Sequence, residues 1–480
     1  MTKQPLDEQT IRCRAAKVGQ EHVFRFWDDL PREGRERLLA ELAEVDFEEL
    51  TRLVADHLTS RREAELPKDL QPAPFIPLPK TDAEREQRCR MQKLGEKTLA
   101  AGRVAALTVA GGQGTRLGYD GPKGAFEIGP VSGRPLFQIF ADGILAAHRA
   151  YGVPIPWYIM TSRVNDRATR DFFEARNYFN LPRGDVKFFA QRMMPAVDFE
   201  GKLILADRDR LFWSPDGHGG TLRALARAGM LEDLAARGIE HISYSQVDNP
   251  LVLSLDPVFI GFHADSGSEM SSKMARKRDA REKLGHFCLS GGRLHVVEYS
   301  DMPGELAEAK TPDGRLCFAA GSIAIHILAR RFVERLTAGG KFALPFHRAD
   351  KKIPYVDARG RRNEPTEPNG VKFETFIFDA LPMAENPLVL EIDRARQFSP
   401  VKNAEGEDSP ATARRGMVRL AAAWLEEAGI EVPRSESGEP KFKAEISPLA
   451  ARNVQELRNL VQRLGIKTLT ADLYLGPEYA

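Results

Sequence analysis

Short apolar runs alternate with amphipathic segments through the middle of the chain. Five runs have the length of strands: VAALTVA, WYIMT, VKFFA, HISYSQV and AAGSIAIHIL. Between them, segments such as LFQIFADGILAAHRAY, RATRDFFEARNYF and GTLRALARAGMLEDLAARG have the spacing of apolar residues that an α-helix packed on a core shows. Strands that alternate with helices of this length predict βαβ units, and therefore an α/β fold with a mostly parallel sheet.

The two ends of the chain have a different pattern. Residues 6–65 are dense in Arg, Glu, Leu and Ala at helical spacing, and five prolines in the fifteen residues LPKDLQPAPFIPLPK predict a linker or a wrapping segment. A helix then begins, with Thr81 or Asp82 as its cap. We therefore predict a helical N-terminal region with a Pro-rich linker over 1–98, an α/β domain over 99–398, and a small C-terminal domain over 399–480.

Composition narrows the classes of function. The length of 480 residues predicts two or three domains, and 69 Lys and Arg against 68 Asp and Glu provide no bulk field for nucleic acid or membrane. We expect neither partner. The four cysteines are scattered without zinc spacing, and the charged N-terminal stretch has no apolar core for a leader. These features predict a cytoplasmic protein with reduced thiols.

A glycine-rich stretch, LTVAGGQGTRLGYDGPKGAFEIG, follows the first apolar run of the predicted α/β domain. It lacks the Gly-Lys-Ser/Thr of a Walker A loop, and three residues separate Gly114 from Gly118 where the dinucleotide fingerprint has two. What remains is a loop whose backbone N–H groups approach an anion, with Arg116 and Lys123 adding charge. The alternative, a tight turn alone, does not explain a lysine held between Pro122 and a glycine.

Three further stretches have both structural and functional explanations. WSPDGHGGTLRAL fits a helix start capped by Asp216, or a second backbone-lined approach with the imidazole of His218 at its centre. HISYSQVDNP ends in Asp248, which fits a turn cap or, beside a triphosphate, an oxygen ligand for Mg²⁺. Lys402 in QFSPVKNAEG is, by itself, typical of a solvated surface.

Taken together, the motifs resemble those of the UTP-dependent sugar-1-phosphate uridylyltransferase (UDPGP type 1) family. Within that family the chain is most similar to the UDP-N-acetylhexosamine pyrophosphorylases. The likeness rests on GGQGTRLG with PKG, and on PWYIMTS, PDGHGG, VDN, VVEYS, KKIPYVD, FSPVKNA and EISPL, which occur in the family's order at similar spacing. The continuous similarity covers roughly residues 100 to 415.

The resemblance implies a fold, a reaction and a set of residues. The fold would be a central Rossmann-like nucleotide-binding domain with a mixed sheet, and the reaction would be UTP plus sugar 1-phosphate giving UDP-sugar plus pyrophosphate, with Mg²⁺ as cofactor. The implied roles are catalysis for Arg116, Lys123 and Lys402, nucleotide binding for Gly111, Gly112, Gly114, Thr115, Gln191 and Gly217, sugar binding for His218, Gly285, Glu298 and Ser322, and metal binding for Asp248.

Two departures from the family pattern fall on the sugar side. The N-acetylhexosamine enzymes carry Asn where this chain has His218, which resembles the UDP-glucose and broad UDP-sugar enzymes, and Ser322 replaces an asparagine that contacts the sugar. We expect N-acetylglucosamine 1-phosphate as the favoured acceptor, with glucose 1-phosphate or a broad range as the alternative. A catalytically silent nucleotide-binding protein is the alternative from another class. The pattern predicts nothing about oligomeric state.

Overall fold

The computed structural model describes residues 7–59, 66, 69–340 and 342–479. The chain divides into two compact units, each assembled from separate stretches. The first unit comprises Met1–Leu66, Gln191–Thr221 and Ala343–Asp379, and the second comprises Pro67–Ala190, Leu222–Phe342 and Ala380–Ala480. The boundaries expected at 98/99 and 398/399 divide the chain into consecutive stretches and stay a prediction, and residues 1–6, 60–65, 67 and 68 of the predicted N-terminal region lie outside the described residues.

The α-helices of the described residues are, in chain order, α1 Glu8–Lys17, α2 Arg32–Glu44, α3 Phe47–Val54, α4 Asp82–Ala100, α5 Leu136–Tyr151, α6 Asp166–Glu174, α7 Gly220–Arg227, α8 Met230–Ala236, α9 Pro257–Asp265, α10 Gly304–Glu308, α11 Arg330–Thr337, α12 Arg394–Gln397, α13 Pro410–Glu427 and α14 Val454–Leu464. Thr81 caps α4 through a capping box with Glu84, so the first of the two expected caps is confirmed. No helix within the described ranges combines the length and the hydropathy that a bilayer crossing needs.

The strands are β1 Gln71–Pro72, β2 Val104–Val109, β3 Trp157–Thr161, β4 Val186–Ala190, β5 Met193–Pro195, β6 Val197–Asp198, β7 Leu205–Asp207, β8 Arg210–Leu211, β9 Trp213–Pro215, β10 His241–Gln246, β11 Met270–Arg276, β12 His286–Ser290, β13 Arg293–Val297, β14 Ala320–Ala329, β15 His347–Lys351, β16 Tyr355–Val356, β17 Arg362–Asn363, β18 Gly370–Glu374, β19 Leu388–Glu391, β20 Ala444–Ile446 and β21 Leu473–Leu475. All five apolar runs of the sequence form strands: β2, β3, β4, β10 and β14. The α/β class is therefore confirmed.

The second unit contains a ten-stranded mixed sheet. Strands β10, β2, β3 and β4 are parallel neighbours, and β11 runs parallel to β19. Strand β14, however, is antiparallel to β10, β11 and β12, while β12 is antiparallel to β1 and β13. Among the described strands the sheet thus has four parallel and five antiparallel pairs, so the mixed sheet is confirmed, although parallel pairs are not the majority.

A two-residue hairpin accounts for part of this difference. Ser290 of β12 pairs with Arg293 of β13, and the two residues between them, Gly291 and Gly292, have φ values of 53° and 75°. Two consecutive positive φ angles match the twist of an antiparallel hairpin, and Gly-Gly is a sequence signal for it. The direction of β12 and β13 was therefore readable from the sequence, although the apolar periodicity alone did not reveal it.

Each unit has its own hydrophobic core. In the second unit, residues of β2, β3, α5 and α9 pack around the fully buried Trp157 and Phe137, and a separate C-terminal cluster is formed by α13, α14 and β21. In the first unit, α1, α2 and α3 pack with β5 and β18. The Pro-rich segment wraps the sheet, because β1 pairs with β12 and Ile76 bridges Leu390. The four cysteines are free.

One ion pair is buried inside the second unit. Lys273 of β11 is fully buried, and its Nζ donates to Asp256 Oδ2 at 2.7 Å and to Gln397 Oε1 at 2.7 Å. Asp256 also caps α9 by accepting from the backbone N–H of Val258 at 3.0 Å. Burial alone would raise the pKa of the Asp256 carboxyl, but the ammonium beside it lowers that pKa, so the carboxylate is charged.

Replacing Asp256 by alanine leaves the Lys273 ammonium buried without a countercharge. We predict that Asp256→Ala lowers the free energy of unfolding by about 3–5 kcal/mol, the usual cost of breaking a buried pair from one side. Urea denaturation followed by circular dichroism measures this loss. Asp265→Ala, at the exposed end of the same helix, is the control and is expected to stay within about 0.5 kcal/mol of the parent protein. Equal midpoints for the two variants would contradict the prediction.

Candidate active site

The glycine-rich loop, residues 110–124, follows β2 and folds back on itself. The backbone N–H of Gly114 donates to Gly121 O at 2.9 Å, and that of Lys123 donates to Gly112 O at 3.1 Å. The buried side chain of Asn165 clamps the start of the loop, because its Nδ2 donates to Ala110 O at 2.8 Å and to Gly112 O at 3.2 Å. These bonds fix a loop at the carboxyl end of a central strand, where α/β folds bind ligands.

The glycines of this loop have different reasons to be glycine. A Cβ on Gly114 would lie 2.7 Å from the Tyr119 ring, and one on Gly124 would lie 2.3 Å from the Phe137 ring. Both positions therefore need glycine for packing. Around Gly112, which is exposed, the described residues place no heavy atom within 4 Å of the Cβ position, apart from its chain neighbours. Packing does not explain that glycine, whereas close approach of a ligand to the backbone does.

Three predicted charged residues meet at the backbone of Val401. Its N–H donates to Asp248 O at 2.8 Å, directly after β10, and its carbonyl accepts from Lys123 Nζ at 3.4 Å. Lys402 is the next residue. Because β10 is the parallel neighbour of β2, Asp248 and the glycine-rich loop lie at the same edge of the sheet. The structure thus brings together residues that are about 280 positions apart.

Among the described residues, the charged side chains of the predicted catalytic and metal-binding residues form no ion pair with another protein group. In the part of the chain that the structure describes, neither Lys123 nor Lys402 forms an ion pair with a carboxylate, and the side chains of Arg116 and Asp248 form no hydrogen bond. Burial raises the pKa of the neighbouring Asp408, an effect that Lys402 opposes and Asp248 reinforces. Two lysines and an aspartate whose side chains are in no ion pair could serve a bound anion and a cation together.

Residues that the sequence analysis missed hold these loops in place. Asn249 donates from Nδ2 to Gln397 O at 2.7 Å, and its Oδ1 accepts from Ser399 N at 3.0 Å. Gln397 in turn accepts from the buried Lys273. The loop after β10 and the segment that leads to Lys402 are therefore linked to one buried network. The sequence signal was a single lysine within the otherwise uncharged start of β11.

Gln191 and Gly217, two of the predicted nucleotide-binding residues, lie together in the first unit. Gln191 is buried, and its Nε2 donates to Gly217 O at 2.6 Å and to Asp216 Oδ1 at 3.0 Å. Gly217 has a φ of 81°, and a Cβ there would lie 2.3 Å from Thr375 O. A Cβ on Gly219 would lie 2.7 Å from the backbone of Phe376, and one on Gly220 would lie 2.0 Å from the Asp216 carboxylate, so packing explains all three glycines of PDGHGG. Asp216, which the sequence analysis expected as a helix cap, orients the Gln191 amide.

His218, also in the first unit, is a neutral imidazole. Its Nδ1 accepts from the backbone N–H of Ile377 at 3.2 Å, and its ring lies 5.4 Å from Phe376 and 5.7 Å from Phe378, centroid to centroid. Burial, together with the charge of His347, lowers the pKa of His218 to about 4. Since Nδ1 is an acceptor, the proton is on Nε2, and this ring offers a ligand a single donor.

The other three predicted sugar-side residues converge in the second unit. Gly285 O accepts from Ser322 N at 2.8 Å, which ties the start of β12 to β14. A Cβ on Gly285 would lie 2.7 Å from Val296 and 3.6 Å from Glu298 Oε1. The carboxylate of Glu298 and the chain at Ser322 therefore flank the same glycine. Packing against Val296 is sufficient to require glycine at this position.

The predicted metal site has a single carboxylate, that of Asp248. Within the described ranges, no three or more His, Cys, Asp or Glu side chains form a group that could enclose a metal ion. Asp248 is partly exposed and follows the strand end beside Lys123 and Lys402 through Val401. Mg²⁺ is commonly held by one or two carboxylates with water and substrate phosphates, rather than by a complete protein cage. A single carboxylate that is in no ion pair within the described residues fits that chemistry.

The two glycines Gly112 and Gly114 form a matched pair for mutagenesis. We predict that Gly112→Ala folds normally but raises the KM for UTP, the substrate that the sequence resemblance implies, by about 10- to 100-fold. The methyl group would displace a backbone hydrogen bond to a charged phosphate, which is worth about 1.5–3 kcal/mol. Gly114→Ala is predicted to lose about 1–3 kcal/mol of stability, because its methyl group meets the Tyr119 ring. Steady-state kinetics and thermal unfolding measure the two effects. An unchanged KM in a folded Gly112→Ala protein would contradict a role in binding.

Comparison with known proteins extends these observations. The family model described as UTP--glucose-1-phosphate uridylyltransferase matches residues 60–408. UDP-N-acetylhexosamine pyrophosphorylase-like protein 1 of Xenopus tropicalis is 39% identical over 92% of both chains. UDP-N-acetylglucosamine pyrophosphorylase of Saccharomyces cerevisiae is 38% identical over 87% of this chain and 91% of its own.

A solved structure is similar over the whole length. The uridine diphosphate N-acetylglucosamine pyrophosphorylase of Trypanosoma brucei, crystallised with an inhibitor, superposes with a TM-score of 0.83 at 27% identity and covers 99% of both chains. The similarity therefore includes the terminal regions as well as the α/β core. The family match and these relatives show that the protein belongs to the UTP–glucose-1-phosphate uridylyltransferase family.

Proposed function

We propose that this protein transfers the uridylyl group of UTP to a sugar 1-phosphate, with N-acetylglucosamine 1-phosphate as the favoured acceptor, and releases pyrophosphate. The observation that carries the proposal is the meeting of Lys123, Asp248 and Lys402 at the backbone of Val401, with none of the three held in an ion pair within the described structure. Family membership and the names of the relatives support the same reaction.

The proposed chemistry is a direct displacement at the α-phosphorus. A phosphate oxygen of the sugar 1-phosphate forms a bond to that phosphorus, while the bond from it to the oxygen bridging the β-phosphorus breaks. The electron pair leaves with pyrophosphate. Because the attacking phosphate is already ionised at neutral pH, no strong general base is needed. The protein has to align two anions and stabilise the charge that develops on the leaving group.

The positively charged side chains would act at both ends of the bond that breaks between the α-phosphorus and the leaving pyrophosphate. We infer that Arg116 and Lys123, both on the glycine-rich loop, stabilise the leaving pyrophosphate, and that Lys402 stabilises the α-phosphate. Backbone N–H groups of Gly111 and Gly112 and the hydroxyl of Thr115 would hold the phosphates and ribose. Gly114, whose N–H donates to Gly121 O, would contribute through the loop shape that this bond fixes. A silent relative would have no need to keep these cations unpaired, which supports an enzyme.

Gln191 and Gly217 are the groups that we propose hold the uracil base. Fixed by its bonds to Gly217 and Asp216, the Gln191 amide has one orientation, and a fixed amide can distinguish bases by their donors and acceptors. Asp248 would hold Mg²⁺, which supplies positive charge to the phosphates.

The four free cysteines agree with a reducing compartment, and we propose a cytoplasmic location.

Acceptor choice depends on Gly285, Glu298 and Ser322, and on His218. We infer that Glu298 accepts hydrogen bonds from sugar hydroxyls and that the short side chain of Ser322 leaves room for a substituent. His218 provides one donor, whereas an asparagine provides two donors and an acceptor. This difference favours glucose 1-phosphate as the second candidate acceptor, because glucose lacks the acetamido group that an asparagine could bind.

We predict that pyrophosphate is released only when UTP, a sugar 1-phosphate and Mg²⁺ are all present. Purified protein with UTP and Mg²⁺ should release pyrophosphate fastest with N-acetylglucosamine 1-phosphate in a panel of sugar 1-phosphates, and a coupled phosphate assay measures the rates. Excess EDTA should abolish release and added Mg²⁺ should restore it. The proposal is abandoned if no sugar 1-phosphate supports release, and the metal role is abandoned if EDTA has no effect.

Replacing His218 should change the choice of acceptor. We predict that His218→Asn raises the ratio of kcat/KM for N-acetylglucosamine 1-phosphate over glucose 1-phosphate by about tenfold, the scale of one hydrogen-bonding partner of about 1.4 kcal/mol. His148→Asn, on α5, is the control, because it makes the same change of side chain at a histidine that is not among the predicted site residues. The same ratio in both variants would argue against His218 as a selectivity residue.

A further inference from the structure

Lys277, directly after β11, is buried beside the three converging sugar-side residues, and the sequence analysis did not single it out. Only 6% of its surface is exposed. We propose that Lys277 is a positioning residue that sets the place of Gly285 and the charge environment of Glu298, and so determines binding of the sugar 1-phosphate. The inference rests on the proposed function and adds a residue to its acceptor side.

Two hydrogen bonds place the Lys277 ammonium on both sides of Gly285. Its Nζ donates to Leu284 O at 3.0 Å and lies 2.7 Å from His286 Nε2, which accepts the second bond. Burial, together with the charge of Lys277, lowers the pKa of His286 to about 4, in agreement with a neutral acceptor ring. The residues before and after Gly285 are therefore fixed by one ammonium group.

The aliphatic stem of Lys277 packs against the strand that carries Ser322. A Cβ on Gly321 would lie 3.2 Å from Lys277 Cγ and 2.9 Å from Leu284 Cδ1. The backbone N–H of Lys277 also donates to Ala319 O at 2.8 Å. Gly321 thus admits the lysine stem at the position just before Ser322, and a displaced stem would move both sides of the sugar-side group.

The Lys277 ammonium and the Glu298 carboxylate interact electrostatically. Burial lowers the pKa of Lys277, and Glu282, Asp279 and Glu298 raise it in that order. The carboxylates act at longer range, since within the described structure none lies within 4 Å of the ammonium nitrogen. A buried lysine held by neutral acceptors is costly for stability. That cost has a physical reason if the ammonium positions groups that bind substrate.

The lysine also lines a cavity of about 970 Å³ in the second unit. Arg278, the next residue, lines the same cavity and opposes the raised pKa of Asp408, as Lys402 does. The sugar-side group is therefore connected through consecutive residues of one segment to the group around Lys402. This arrangement places Lys277 at the junction of the proposed sugar and phosphate binding residues.

The test replaces Lys277 by methionine, which keeps the volume of the stem and removes the ammonium. We expect the KM for N-acetylglucosamine 1-phosphate to rise about 10- to 100-fold, the effect of misplacing binding groups by about 1 Å, while the KM for UTP stays within about twofold. Thermal unfolding should show equal or greater stability, because an apolar side chain replaces a buried ammonium. Lys283→Met, an exposed lysine of the same segment, is the matched control and should leave both KM values unchanged.

Separate results distinguish a failed inference from a failed function. If the parent protein releases no pyrophosphate with any sugar 1-phosphate, the proposed function fails. If the parent is active but Lys277→Met has the same acceptor KM as Lys283→Met, or raises both KM values equally while losing stability, the positioning role is overturned. Should Lys277→Met not fold, His286→Leu removes one acceptor of the ammonium, and it must show the same acceptor-specific rise for the inference to stand.

Discussion

The buried ammonium of Lys273 needs hydrogen-bond acceptors inside the second unit, and two segments converge on it to supply them. Asp256 supplies the countercharge from the start of α9, and Gln397 supplies a second acceptor at 2.7 Å. Gln397 also accepts from Asn249, which in turn holds Ser399. The segments on which Asp248 and Lys402 lie are thereby joined before any ligand binds. Pre-organised charge of this kind avoids reorganisation during the reaction.

Packing and binding make separate demands on the small residues of the site. Gly114, Gly124 and Gly217 are glycine because rings or backbone atoms fill the space that a side chain would need. Gly112 is exposed with open space beside it. Glycine-rich sequence alone therefore does not identify the residues that approach a phosphate. The distinction comes from what a Cβ atom would meet at each position.

Much of the fold was predictable from local pattern, because a buried strand or an amphipathic helix has its own periodicity. Strands β2, β3, β4, β10 and β14 and the cap of α4 at Thr81 are confirmed on that basis. Strand direction was not predictable from periodicity, because an apolar run is the same read either way, and β14 runs antiparallel to its neighbours. Only the Gly291-Gly292 pair marked an antiparallel hairpin.

The sequence predicted the charged residues of the site, but not the buried residues that hold them in place. Arg116 and Lys123 stood out beside glycines, whereas Lys402 had no signal of its own and was identified by resemblance to a family. Lys273 and Lys277 were missed because the sequence does not show whether a lysine is buried or exposed. Only tertiary contacts distinguish the two. The roles of the predicted site residues remain predictions. What the structure adds is which of them share hydrogen bonds.

The most direct test of the account follows the α-phosphorus itself. UTP labelled with ³²P at the α-position is incubated with N-acetylglucosamine 1-phosphate, Mg²⁺ and the purified protein, and the products are separated by chromatography. Attack on the α-phosphorus predicts that all transferred label enters the UDP-sugar and none enters pyrophosphate. Label released as UMP, or retained in UTP with every sugar 1-phosphate, would contradict it.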